Sequence, residues 1–329
     1  MAAEEPVHEP VLLEEVLELL RPPDPGGLMI DANLGEGGHT EAFLKRYTEL
    51  AVLGVEADGE VARVARRRLE AFGERFRIAE TWSDEAFADL DACVGEHMPE
   101  RAGSRPCVIL FDLGISSYHF RRSGRGFSFE RDEPLDMRLR RGEAGSVGHS
   151  AADLIDSAQA DELERIFREY GEERYARRIA RRIVRARGGS SIDSSLRLAE
   201  IIRGAVPPEY RRGRIHPATR CFQALRIAVN DELERLSRSL VGAFGALAAG
   251  GRMGVIAFHS LEDRIVKRFF QERKKSCTCP PQWPICQCGG RRQLRTLTKK
   301  PLRPGPDEVV RNPASRSARL RAVEKAEGD

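Results

Sequence analysis

The sequence predicts an α/β protein, a Rossmann-like sheet interrupted by an all-helical insert, and two observations carry that prediction. First, three apolar runs each end in a carboxylate beside a turn: Ile30-Asp31 enters the glycine-rich turn Asn33-Leu34-Gly35-Glu36-Gly37-Gly38, Ala51 to Val55 ends in Glu56, and Cys107 to Phe111 ends in Asp112-Leu113-Gly114. Strand ends of this kind converge on ligands in open parallel sheets. Second, the strand and helix alternation stops after Ser117, and no convincing strand returns until after Thr219.

Each element follows from its residue pattern. Leu13, Val16, Leu17 and Leu20 recur at i, i+3, i+4 and i+7, so residues 10–20 form an amphipathic helix that Pro22-Pro23 stops. The first strand is followed by a helix over 39–47, the second strand and an Arg-rich helix over 60–71. Pro106 precedes Cys107-Val108-Ile109-Leu110-Phe111, a continuous apolar run of the buried parallel type. Residues 118–142 are rich in Arg, Gly, Ser and Asp, and 150–205 read as several helices. Leu163, Ile166, Phe167 and Tyr170 make one apolar stripe, and Tyr175, Ile179 and Ile183 the next. Arg174, Arg177, Arg178, Arg181, Arg182 and Arg185 share the opposite face, which is either solvated surface or a row of phosphate contacts. A long helix on Leu225, Val229, Leu233, Leu236 and Leu240 then leads through Gly250-Gly251 to the strand Met253 to Phe258, and Ser260 with Asp263 has the spacing of a capping box. The expected organisation is a sheet domain over 1–140 and 216–329 with a helical insert over 141–215.

The first turn points to a cofactor. Glycine suits it because the backbone takes angles that a side chain penalises, and because a ligand must approach main-chain N–H groups at a helix N-terminus. A side chain at Gly37 is expected to fill space that the ligand needs. NAD fingerprints carry a third glycine where this turn has Thr40. S-adenosylmethionine has no pyrophosphate to cradle, so a shorter turn beginning at an acid suffices, with Asp31, Gly35, Gly37, Gly38, His39 and Glu56 as the candidate cofactor residues.

Charge and cysteine usage bound the rest. The chain has 329 residues, 54 basic and 51 acidic, for a formal net charge of +3. Lys274 to Lys325 holds 13 Lys and Arg against 3 Asp and Glu, so a basic C-terminal segment faces an otherwise acidic chain and suggests a polyanionic partner. The first residues lack the basic and apolar regions of a secretory signal, and no apolar run approaches a membrane span, so a cytoplasmic location without a membrane partner is expected. The 7 cysteines do not form a secreted disulfide pattern. Cys277, Cys279, Cys286 and Cys288 cluster in the loop 274–292; their count suits tetrahedral metal, their C-x-C spacing is not the usual C-x2-C, and reduced loop thiols are the alternative.

Candidate chemistry centres on Asp112. A carboxylate at a strand end beside a glycine turn can accept a hydrogen bond from an amino group that is being methylated. Amino-methyltransferases of the DNA type carry a D/N-P-P-aromatic tetrapeptide there, and this chain does not. Phe127 and Phe129, flanked by Arg125 and Arg131, are candidates for stacking on an extruded base, with a core role as the alternative. A non-catalytic RNA-binding module would account for the arginines but not for three acidic strand ends.

Several blocks carry a family resemblance: His8-Glu9-Pro10-Val11-Leu12-Leu13, Asp31 through His39, Asp112-Leu113-Gly114-Ile115-Ser116-Ser117, Arg125-Gly126-Phe127-Ser128-Phe129, Pro134-Leu135-Asp136-Met137-Arg138, Tyr170-Gly171-Glu172-Glu173-Arg174, His216-Pro217-Ala218-Thr219-Arg220, Phe222-Gln223-Ala224-Leu225-Arg226, Phe258-His259-Ser260-Leu261-Glu262-Asp263-Arg264 and Arg316-Ser317-Ala318-Arg319-Leu320-Arg321. In order, and over nearly the whole chain, they resemble the bacterial ribosomal RNA small subunit methyltransferase H family, also called MraW. The resemblance implies a seven-stranded S-adenosylmethionine-dependent methyltransferase sheet with a helical insert for substrate recognition. It also implies methylation of the exocyclic N4 of a cytosine in the decoding region of 16S rRNA in the small ribosomal subunit. Carried over by position, Gly37, Gly38, His39 and Asp112 match cofactor residues. Glu56 stands where the family usually has Asp, Trp82 where Phe lies near the adenine, and His119 where Gln is common. For RNA contact the candidates are Arg125, Phe127, Phe129, Arg177 and Arg181; monomer and homodimer both stay open.

Overall fold

The computed structural model describes residues 9–140, 149–275, 279 and 290–327. The chain divides into two compact units, one made of residues up to 114 together with 233 onward, the other of 115–232.

In the sheet unit, helix α1 (Leu13–Leu19) precedes strand β1 (Leu28–Asp31), and α2 (Gly38–Arg46), β2 (Ala51–Val55), α3 (Gly59–Leu69), β3 (Phe76–Ala79) and β4 (Val108–Asp112) follow. The helical unit contains α4 (Ala160–Glu169), α5 (Ala176–Arg187) and α6 (Ala218–Asn230), besides other helices. After it come α7 (Glu232–Ala246), β5 (Arg252–Ala257), α8 (Ser260–Lys274), β6 (Leu294–Thr296), α9 (Pro306–Arg311) and β7 (Arg319–Lys325). The seven strands lie in the order β3-β2-β1-β4-β5-β7-β6. The first five are parallel, and β7 runs antiparallel to both β5 and β6.

Strand alternation feeds two cores, one on each face of the sheet. Ile30, Leu53, Ile109, Phe111 and Val255 pack with Leu240, Phe244, Phe269 and Phe270. Met29, Val52, Val108, Leu110, Ile256 and Leu320 pack with Val16, Leu20, Phe43, Ala65 and Leu69. Because both faces are covered, the central strands are apolar at nearly every position until the chain reaches an acid at their C-terminal ends.

The helical unit has its own core, including Phe167, Ile179, Ile183, Ile202 and Leu225. Its first and last segments are part of it. Phe127, Leu135 and Met137 are buried with Ala218, Phe222 and Leu225, and buried Asn230 donates to the Met137 carbonyl at 2.8 Å while accepting from Leu139 N at 2.8 Å. The boundaries therefore fall near 115 and 232 instead of the expected 141 and 215.

Two other expectations are corrected. The long helix read through Leu225 to Leu240 is broken at Asp231, whose φ of 52° is left-handed, so α6 ends and α7 begins there. The capping box of α8 is one residue earlier than the spacing suggested, with His259 as the N-cap and Glu262 as its reciprocal partner.

Candidate active site

The acids at the strand ends share one edge of the sheet. Asp31 is in register with Gly54 of β2 and Leu110 of β4, so Glu56 and Asp112 each lie two residues further along a flanking parallel strand. The turn after β1 is organised by these acids. Glu56 accepts from Gly35 N at 3.0 Å through Oε2 and from Asp58 N at 2.9 Å through Oε1. Asp58 in turn caps α3 by accepting from Glu60 N at 2.9 Å. Trp82, half-buried beyond β3, carries the Arg235 guanidinium 4.5 Å over its ring.

Asp31 is buried, and its Oδ2 accepts a 2.6 Å hydrogen bond from Thr40 Oγ1. Burial pushes the Asp31 carboxyl up to about 6, against the pull of the Thr40 hydroxyl and the nearby His39. His39 is buried beside it, with Nε2 3.0 Å from the Val11 carbonyl and Nδ1 3.4 Å from Asp112 Oδ2. Burial disfavours the imidazolium, but the hydrogen bond with Asp112 and the charges of Asp112 and Asp31 outweigh it, and the His39 pKa is raised.

The glycines divide into different tasks. Gly35 has a φ of +54°, and a Cβ built there meets nothing within 4 Å. Gly37 has a φ of +81°, but its Cβ would strike Leu69 Cδ1 at 2.8 Å. The expectation that Gly37 keeps ligand space clear is therefore corrected: it permits α2 to pack on α3, and Gly35 is the residue that faces open space. Gly38 packs against Pro10, whose side chain would lie 3.3 Å from an added Cβ.

Three buried oxygens have no donor among the described residues: Asp31 Oδ1, Asn33 Oδ1 and Asp112 Oδ1. Leaving buried acceptors unsatisfied is costly, so a group that fits here brings donors and positive charge. The ammonium, ribose hydroxyls and sulfonium of S-adenosylmethionine answer that requirement, whereas a pyrophosphate would face a cluster of carboxylates. Gly35 N and Gly37 N are moreover engaged by Glu56 and by the Leu34 carbonyl.

The other candidates lie in the helical unit. His119 is buried there, edge-on to Phe127 with 5.2 Å between ring centroids. Arg125 is only 1% exposed and donates to the Arg138 and Leu139 carbonyls at 3.2 and 3.0 Å, so it serves the interior instead of presenting its guanidinium to a substrate. Phe127 is a core residue, and Phe129 is stacked on His216 at 4.6 Å and edge-on to Phe222 at 5.0 Å. Phe127 therefore takes the core role that was the alternative to base stacking, while Phe129 is half-buried, with His216 on one face and Phe222 at an edge. Arg177 and Arg181 are exposed on α5 together with Arg178, Arg182 and Arg185, and none of the five pairs with a described acid.

The basic tail is less available than its composition suggested. Arg319 and Arg321 bind Asp263 at 3.1 and 2.7 Å, and Lys325 donates to the Phe244 and Leu247 carbonyls. Of the clustered cysteines, Cys277, Cys286 and Cys288 lie outside the described residues, and Cys279 is half-buried. Among the described residues no helix is long and apolar enough to cross a membrane. Sequence reasoning missed Thr40 and the Val11 carbonyl as site-forming groups; Thr40 was noticed only for not being glycine.

A Rossmann-like sheet whose acidic strand ends and unsatisfied acceptors meet at a glycine turn defines an S-adenosylmethionine-dependent methyltransferase. The chain belongs to the MraW methylase family, whose model matches residues 5–326. It is 52% identical over 321 residues to the ribosomal RNA small subunit methyltransferase H of Treponema denticola, covering 98% of each chain. It is 46% identical over 319 residues to the protein of the same name from Trichlorobacter lovleyi, covering 97% of this chain and 98% of that one. With the counterpart in Geobacter sulfurreducens it shares 47% identity over 320 residues, at 97% and 98% coverage.

Proposed function

We propose that the protein methylates the exocyclic N4 of a cytosine in the decoding region of small-subunit rRNA, acting in the cytoplasm on the ribosomal subunit. The observation that carries this reading is the 52% identity, over 98% of both chains, to a ribosomal RNA small subunit methyltransferase H.

The site residues support amino-group chemistry. When bound, S-adenosylmethionine supplies an electrophilic methyl group on a sulfonium. Asp31 and Asn33 offer acceptors to the donors at one end of that ligand, Glu56 offers its carboxylate to the ribose, and Trp82 gives the adenine an aromatic edge. The cytosine amine is a weak nucleophile because its lone pair is delocalised into the ring. Asp112 favours methylation by accepting a hydrogen bond from that amine and drawing off its proton as the new N–C bond forms. Much of the remaining rate comes from holding the base in line. The arginine face of α5 offers the phosphate contacts that fix register without reading sequence.

Nucleoside mass spectrometry of rRNA from a strain lacking the protein tests the reading. Loss of N4-methylcytidine, restored by the wild-type chain, is the expected result. An unchanged level in a strain with no second enzyme for that base overturns it.

A further inference from the structure

Helix α2 carries His39 in its first turn, where the side chain is buried and reaches acceptors from two separate segments. The Val11 carbonyl can only accept, so Nε2, 3.0 Å away, carries a hydrogen. A neutral ring would then aim a bare Nδ1 lone pair at the Asp112 carboxylate, whereas an imidazolium donates at both ends. Among the described residues, the charged groups facing the ring are Asp112 from β4 and Asp31 from β1, and the N-terminal segment contributes the Val11 carbonyl alone.

That carbonyl is itself held in place. Leu12 adopts a left-handed conformation with a φ of 56°, uncommon for a residue with a branched side chain. Its N–H donates to Glu308 Oε1 of α9 at 2.8 Å, and Asn312 Nδ2 donates to the Glu9 carbonyl at 3.2 Å. Pro10 packs on Gly38, the residue before His39. Segments 296 positions apart in sequence thus combine to set one carbonyl against one imidazole.

We infer that His39 is a positioning residue: held as an imidazolium between the Val11 carbonyl and Asp112 Oδ2, it fixes the Asp112 carboxylate so that Oδ1 is presented to the methyl-accepting amine. The inference rests on the proposed role of Asp112. Loss of the ring's Nδ1 proton at high pH removes the donor that orients Asp112, so methyl transfer acquires a basic limb set by His39.

The test follows the ring itself in the full-length protein labelled with 15N-histidine, the His39 signals being assigned by their loss in His39→Gln. The expected result is a doubly protonated ring that titrates above the ordinary imidazole range, with a midpoint that falls in Asp112→Asn. His39→Gln should lower the single-turnover rate at saturating S-adenosylmethionine by about tenfold or more and abolish the basic limb of the pH–rate profile. Should His39→Gln fold poorly, Glu308→Ala, which releases Leu12 N–H, should lower the midpoint part of the way. A wild-type ring that is neutral at pH 6.5, or a midpoint indifferent to Asp112→Asn, overturns the inference. A normal single-turnover rate in Asp112→Asn overturns it at the other end, by removing the Asp112 role while the titration stands.

Discussion

Thr40 Oγ1 donates to Asp31 Oδ2 at 2.6 Å, joining the first turn of α2 to the end of β1. The position where a dinucleotide-binding turn carries its third glycine is thus occupied by a hydroxyl that supports a buried carboxylate. Such a carboxylate suits a cationic ligand and opposes a pyrophosphate, so one residue both excludes one cofactor class and builds the site for another.

Asp31 makes the stability of the free protein depend on pH in a definite direction. Its folded pKa, about 6, lies above the ordinary 3.8 because burial penalises the carboxylate. The stability associated with the protonated acid is therefore complete below about pH 4 and is lost as pH rises through about 6. In Asp31→Asn, which carries no charge, stability relative to wild type should improve steadily between pH 4 and pH 7 in urea titrations without cofactor. A relative stability that is flat or falls over that interval would show that the carboxylate is not held against its charge.

Gly35 and Gly37 should separate binding from folding. Gly37→Val meets both a φ of +81° and Leu69 at 2.8 Å, so it should lower the melting temperature strongly. Gly35→Leu faces open space at a φ of +54°; its backbone cost is about 1–2 kcal/mol, and its main effect should be weaker calorimetric binding of S-adenosylhomocysteine. Wild-type affinity in a folded Gly35→Leu protein would place the ligand elsewhere.

The exposed arginines of α5 should act on RNA and not on the cofactor. Reversing Arg177, Arg178, Arg181 and Arg182 to glutamate should raise KM for small subunits and reduce the steepness with which KM depends on salt, since fewer counterions are released on binding. The affinity for S-adenosylhomocysteine should stay at the wild-type value. An unchanged salt slope would make this face ordinary solvated surface.

Replacing Cys277, Cys279, Cys286 and Cys288 together by serine should leave cofactor binding intact, because the turn, Glu56 and Asp112 that form the candidate site are remote from them in sequence. Elemental analysis provides the check on their chemistry. Stoichiometric zinc in the wild-type protein, absent from the variant, would assign them a metal and predict a lower melting temperature on chelation.

How much was legible depended on how far apart the cooperating residues are. The acidic strand ends could be read because each is a local event: an apolar run, one carboxylate and a turn. Strand β7 escaped because Arg319, Arg321, Glu324 and Lys325 dominate its composition, although Leu320, Ala322 and Val323 are buried; two of those arginines neutralise Asp263 internally instead of meeting a partner. The break at Asp231 was invisible because leucines continue at helical spacing across it, and a left-handed residue leaves no mark on such a pattern. Neither the Val11 carbonyl nor Glu308 could be inferred, since a backbone carbonyl that meets His39 across 28 positions leaves no mark in residue type, and the Leu12 bond to Glu308 spans 296 positions.

The placement of β7 between β5 and β6 also governs how the polypeptide can acquire its shape. During synthesis the helical unit emerges as one uninterrupted stretch and is able to collapse on nearby contacts, while the five parallel strands wait for a segment that follows every other strand. Until Arg319 to Lys325 leaves the ribosome, β5 has an open edge and Asp263 lacks both arginines. An exposed strand edge in a nascent chain invites pairing with a neighbour. Premature termination before Arg319 should consequently yield a product that aggregates or is degraded, even though every residue of the cofactor turn has already been made.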